Sequence, residues 1–151
     1  IKMLFLKARS LSVLPWIVFL LLNSCGTVKK ENAEENSETS SGPIRTLHSP
    51  TQLDTIIEKA GGSLLAFDLY ADWCRPCRIL SPTLEKIAAG NLSKVTFYRI
   101  NIDKFPQVAR DFGVNGIPLV VFMKNKTVVK QFVGVQPEED YIRTIIENAA
   151  N

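Results

Sequence analysis

The run Ser63-Leu-Leu-Ala-Phe-Asp-Leu-Tyr-Ala71 constrains the fold of this chain more than any other stretch. After its opening serine it is apolar or aromatic everywhere except Asp68. A strand with one wet face alternates polar and apolar residues, so a run without that alternation is expected at the centre of a sheet covered on both sides. Gly61-Gly62 precedes it as a stop for a helix, and Trp73-Cys74-Arg75-Pro76-Cys77 follows it into another. Short apolar strands alternating with helical stretches from Ile44 onward predict an α/β domain rather than a bundle or a sandwich.

The remaining elements fit around that strand. A short first strand is expected near Ile44–Leu47, and Ser49-Pro50 opens a helix over about residues 51–60, with Leu53, Ile56 and Ile57 at helical spacing. A long helix runs from the cysteine pair to about Ala89, with Pro82 removing one backbone donor inside it. Strands are expected at 95–102, 119–123 and 127–133, the last two joined at Asn125-Lys126, with a short helix at 106–112. The closing helix, 137–150, places Glu138, Glu139 and Asp140 in its first turn, where acidic residues suit the helix dipole. Its predicted inward residues are Tyr141, Ile142, Ile145 and Ile146. With 151 residues and 46% hydrophobic content, the chain has room for one core plus extensions.

Three cysteines are present, Cys25 alone and Cys74 with Cys77 as a close pair. A structural zinc site needs four ligands where this sequence offers that pair and the single His48, so no metal is expected. Two residues three apart at a helix start have α-carbons about 5 Å apart, inside the range a disulfide accepts. The first sulfur is predicted exposed at the helix N-terminus, where unsatisfied amides and the dipole stabilise a thiolate. This makes Cys74 the nucleophile and Cys77, one turn inside, the resolving thiol, with Arg75 and Arg78 adding positive charge nearby. The redox-active disulfide needs no separate cofactor. A carboxylate within an apolar strand is costly to ionise, so the Asp68 acid is expected to titrate above its ordinary range.

The segment Phe67-Asp68-Leu69-Tyr70-Ala71-Asp72-Trp73-Cys74-Arg75-Pro76-Cys77 resembles the active-site segment of thioredoxins. Gly116-Ile117-Pro118 resembles the family's cis-proline turn, Pro82 falls at its helix kink, and Gly134 matches the glycine beside its substrate groove. The resemblance covers residues 44–151 and implies a thioredoxin fold, a single domain with a mixed β-sheet flanked by helices on both faces. It further implies that Asp68 exchanges a proton with Cys77, through a water. It makes Ile117-Pro118 cis, exposing the Ile117 backbone for strand-like substrate binding in a groove lined by Trp73, Ile117, Pro118, Val133 and Gly134. The competing reading of Trp73 and Val133 is core packing. Arg99 stands where the family usually has a lysine and Arg75 where many members have glycine, whereas Pro76 is retained; the three are expected to modulate the site. Arginine cannot surrender its proton at physiological pH.

The front of the chain predicts export. Residues 1–24 read as a signal peptide: Lys2, Lys7 and Arg9 precede any acidic residue, and the apolar run Leu11–Leu22 has the length of a signal core, short of a membrane span. Leu22-Asn23-Ser24-Cys25 resembles the bacterial lipobox, which implies a lipidated Cys25 and a domain anchored outside the cytoplasm, in the cell envelope. A diacylated cysteine supplies the more than one chain that stable anchoring takes. Residues 26–43, without an aromatic residue, read as a tether with a reach on the order of 20 Å.

Lys, Arg, Asp and Glu mix without a basic stripe through the rest of the chain, so nucleic acid is not an expected partner. The expected function is a monomeric, membrane-anchored reductase of disulfides in exported proteins, recharged by a membrane electron donor. An oxidising compartment would otherwise keep the pair closed. The alternatives are a disulfide oxidase or isomerase, and a non-catalytic binding module on the same fold.

Overall fold

The computed structural model describes residues 42–90 and 95–149. The expected signal peptide, Cys25 and the tether up to residue 41 lie outside the described residues. In chain order the elements are β1 (Ile44–Thr46), α1 (Pro50–Lys59), β2 (Leu64–Tyr70), α2 (Arg75–Ala89) and β3 (Val95–Asn101). They are followed by α3 (Pro106–Asp111), β4 (Leu119–Lys124), β5 (Thr127–Val133) and α4 (Glu138–Ala149). None of the helices among these residues is long and apolar enough to cross a membrane.

The five strands form one mixed sheet in the order β1-β3-β2-β4-β5. Strand β3 runs parallel to both β1 and β2, whereas β4 is antiparallel to β2 and to β5. The apolar run therefore occupies the middle of the sheet, and six of its residues, Leu64 to Leu69, are buried. Because successive side chains of a strand alternate, the run splits between two cores. Leu64 and Ala66 pack with Leu80, Leu84 and Ile87 of α2 and Tyr141 and Ile145 of α4. Leu65, Phe67 and Leu69 pack on the opposite face with Leu53 of α1 and Val108 of α3.

Local chemistry fixes the element ends. The Ser49 hydroxyl accepts from the Gln52 amide while the Gln52 side chain accepts from the His48 amide, a reciprocal cap that starts α1 beside Pro50. At the hairpin, Asn125 (φ 51°) and Lys126 (φ 64°) both take the left-handed conformation of a two-residue type I′ loop. The lysine does so without the glycine that normally fills its place.

One expectation for α4 fails. Ile146 is 60% exposed, whereas Tyr141, Thr144 and Ile145 are buried and Ile142, half-buried, still packs against the core as expected. Tyr141 and Ile145 are one helical stripe; Ile142 and Ile146 lie about 100° further round, on the helix flank.

Candidate active site

Among the described residues, the candidate catalytic side chains gather where β2 and β3 finish side by side, Tyr70 pairing with Asn101 and Asp68 with Arg99. Strand β2 leads into the Ala71–Trp73 turn, and Cys74 is the N-cap of α2. Its sulfur accepts from the Cys77 amide at 3.2 Å, so it occupies the position where a helix start presents unsatisfied donors. Cys74 and Cys77 are joined in a disulfide with α-carbons 5.3 Å apart.

The two cysteines differ less in exposure than their helical positions suggest. Contrary to the exposure predicted for a sulfur at the helix start, Cys74 is 3% accessible against 5% for Cys77. The reason is a small apolar cluster in which Ala71 and both cysteines are covered by Tyr70, Ile102 and Ile117. In the closed pair the asymmetry lies in the backbone contact to Cys74, not in solvent access.

Asp68 is 3% exposed on the same sheet face as Leu64 and Ala66. Its Oδ2 accepts from Arg99 Nε at 3.1 Å, and its Oδ1 has no hydrogen-bond partner among the described residues. Burial pushes the acid above the ordinary carboxylate range; the Arg99 charge and hydrogen bond oppose that rise, and the Glu85 charge adds to it. A cavity of about 140 Å³ has Asp68, Cys77, Arg78, Ser81 and Arg99 on its wall. It is large enough for the water through which the sequence resemblance connects Asp68 and Cys77.

The expected groove residues converge on the same end. The Ile117-Pro118 bond is cis, and the Ile117 side chain packs on the cysteine cluster. Gly134, at φ +77°, donates its amide to the Pro118 carbonyl at 2.8 Å, and Val133 is exposed next to it. A side chain on Gly116 would stand 3.2 Å from Val133 Cγ1, so glycine there lets the two loops approach. Trp73 is 68% exposed, which removes core packing as its role, and its indole donates to Asp103 Oδ2 at 2.9 Å. Arg75 and Pro76 form the first turn of α2, with Arg75 exposed.

Sequence reasoning missed Asp103, Asn101, Ser81 and Glu85. The Asn101 amide group is buried and joins two loops, donating to Asp72 Oδ2 at 3.1 Å and accepting from the Asp103 amide at 2.9 Å. Its signal was its place at the end of a strand parallel to β2. Ser81 and Glu85 stand four and eight residues after Cys77, one stripe along α2, which is a pattern visible in the sequence. Among the described residues no three His, Cys, Asp or Glu side chains converge as a metal site.

Comparison with known proteins agrees with this arrangement. The thioredoxin family model matches residues 45–147. The chain is 38% identical over 79 residues to a thioredoxin of Alicyclobacillus acidocaldarius, an alignment covering 52% of this chain and 75% of that one. It is 34% identical over 92 residues to a thioredoxin of Chlamydia muridarum, covering 61% and 89% of the two chains. Among solved structures, the thioredoxin of Fasciola hepatica superposes with a TM-score of 0.64 at 30% identity, over 69% of this chain and 98% of that one. A closed Cys-x-x-Cys pair at the start of α2, on this sheet and within this family match, makes the chain a member of the thioredoxin family and a thiol-disulfide oxidoreductase.

Proposed function

We propose that this protein is a lipid-anchored reductase on the outer side of a bacterial membrane, keeping disulfides open in exported proteins. The apolar run of residues 11–22 and the Leu22-Asn23-Ser24-Cys25 motif support export and anchoring. The proline retained in Cys74-Arg75-Pro76-Cys77 favours the reducing direction, as it resembles reductants of the family more than its strong oxidants.

In the reduced protein, the Cys74 thiolate attacks one sulfur of a substrate disulfide. A Cys74-substrate bond forms, and the other substrate sulfur leaves as a thiolate. Cys77 then gives its proton to the Asp68 carboxylate through the shared cavity and attacks Cys74. The Cys74–Cys77 bond forms as the second substrate sulfur departs, so two electrons pass to the substrate and the pair is oxidised. A membrane electron donor returns the pair to the dithiol. Substrate lies against Trp73, Val133 and Gly134 with its backbone alongside Ile117, a strand-addition contact.

The observation that carries the dithiol mechanism is the cavity with both a buried, hard-to-ionise acid and Cys77 on its wall. An acid held above its ordinary range is a stronger base once ionised, suited to accepting a thiol proton near neutral pH. The test is expression of Cys77→Ser in the native host with mass spectrometry of adducts on Cys74, alongside the redox state of the wild-type pair in cells. Exported proteins trapped on Cys74 and a mostly reduced pair are expected. A mostly oxidised pair points to an oxidase or isomerase, and the absence of adducts overturns the enzymatic role of Cys74. Asp68→Asn is expected to slow reduction near neutral pH in folded protein; an unchanged rate removes Asp68 from the mechanism.

A further inference from the structure

Arg99 is held from both sides. Its Nε faces the buried Oδ2 of Asp68, while its Nη2 donates to the Ser81 hydroxyl and lies 3.7 Å from Glu85 Oε1. The Ser81 hydroxyl in turn donates to Glu85 Oε1 at 2.9 Å, so one hydroxyl accepts from the cation and donates to the anion. The Arg99 guanidinium also lies over the Tyr70 ring, 5.3 Å from its centroid. Arg99 is thus shared between a buried carboxyl and an exposed one, on the wall of the cavity that reaches Cys77.

We propose that Ser81 and Glu85 are positioning residues for the proton exchange between Asp68 and Cys77: by fixing the outer edge of the Arg99 guanidinium they set how much of its charge reaches Asp68. This rests on Asp68 serving as the proton acceptor described above. The two residues act with opposite signs. Glu85 draws Arg99 outward and adds a negative charge of its own, and both effects favour the protonated acid. Ser81 pins Nη2 so that Nε stays turned toward Asp68, which favours the carboxylate. An arginine can play only this electrostatic part, because it holds its proton throughout.

The surroundings of Asp68 leave these two as the adjustable groups. From α2 it is faced by Cys77, Arg78 and Glu85, from β3 by Arg99, and from the end of β2 by Tyr70 and Asp72. Tyr141 on α4 lies within electrostatic reach, and β4 presents only the apolar Val120 opposite it. Arg78 is tied to the Asp72 carbonyl at 2.9 Å. Glu85 reaches Asp68 through space and through Arg99, whereas Ser81 reaches it only through Arg99.

The test compares wild type, Glu85→Gln, Ser81→Ala and Asp68→Asn in the full chain, each shown folded by circular dichroism. The readouts are carboxyl NMR titration of Asp68 in the first three and, in all four, the pH profile of single-turnover insulin reduction. Glu85→Gln is expected to move the Asp68 titration and the rate profile to lower pH by about half a unit, the range of partly exposed charge pairs. Ser81→Ala is expected to move both to higher pH by a similar amount. Two further variants, each combining one of these substitutions with Asp68→Asn, are expected to keep the profile of Asp68→Asn alone. If Asp68→Asn differs from wild type while Glu85→Gln and Ser81→Ala match it, or both move the same way, the positioning role is overturned and the Asp68 mechanism stands. If Asp68→Asn itself keeps the wild-type profile, the mechanism falls and the positioning role with it.

Discussion

The two faces of the sheet are built from the same strands and do different work. Toward α1 and α3, β2, β3 and β4 contribute Leu65, Phe67, Leu69, Tyr98, Ile100, Leu119, Val121 and Met123, and among the described residues no buried carboxylate or cationic side chain joins them. Their polar contact is at the rim, where Arg45 Nη1 donates to the Tyr98 hydroxyl at 3.2 Å. Toward α2 and α4 the same strands contribute Leu64, Ala66, Phe97, Val120 and Phe122, and then Asp68 with Arg99 alongside. The charged inclusion is on the face covered by the helix that carries the cysteines. One face can thus be read as support and the other as a compromise between packing and chemistry.

This contrast can be broken or sharpened by substitution. The largest effect is expected from Phe67→Ala on the supporting face, where a fully buried aromatic ring is removed: a loss of about 3–5 kcal/mol in urea unfolding. The loss should be the same at every pH where the protein stays folded. Asp68→Asn should do the reverse at neutral pH. Because the folded acid titrates above the unfolded one, its contribution to stability is full below the unfolded range and is lost as pH rises through the folded titration. The variant is therefore expected to unfold at higher urea than wild type near neutrality and to lose that advantage on acidification. The advantage grows by about 1.4 kcal/mol for each pH unit separating the two titrations.

Smaller effects test the rim and the outer surface. Tyr98→Phe should cost about 0.5–1 kcal/mol without pH dependence between pH 5 and pH 8, the range of one ordinary hydrogen bond. Ile146→Glu should change stability by less than about 0.5 kcal/mol, since that side chain faces solvent on α4. A loss of several kcal/mol there would restore the inward placement expected from the apolar pattern.

Much of the arrangement was legible because period and composition act locally. The run 64–69, apolar except for Asp68, has the pattern expected of a doubly covered strand, and every predicted element appears with its ends within one or two residues. The Cys-x-x-Cys spacing gave the bridge, and the anomaly of an acid in an apolar strand singled out Asp68. What escaped depends on neighbours distant in sequence. Asp103 meets Trp73 because the ends of β2 and β3 lie together, and the covering of Cys74 depends on Ile117 arriving from a loop forty-odd residues away. Ile146 was misplaced for a different reason: apolarity says what a residue tolerates, whereas helical phase says where it points. Ser81 and Glu85 were visible at four-residue spacing but are hydrophilic, and hydrophilic residues on a helix ordinarily mean only a wetted side.

The bridge between Cys74 and Cys77 spans a sequence separation of 3. A crosslink lends a folded protein more support the longer the stretch of chain it closes; a loop of this size is worth about 2 kcal/mol, against about 4.7 kcal/mol for one of 100 residues. Neither cysteine belongs to the two large cores; both lie in the small cluster with Ala71 at the start of α2. The domain can therefore exchange electrons over many rounds while its architecture stays put, because the bond that is made and broken is not one on which the tertiary structure leans.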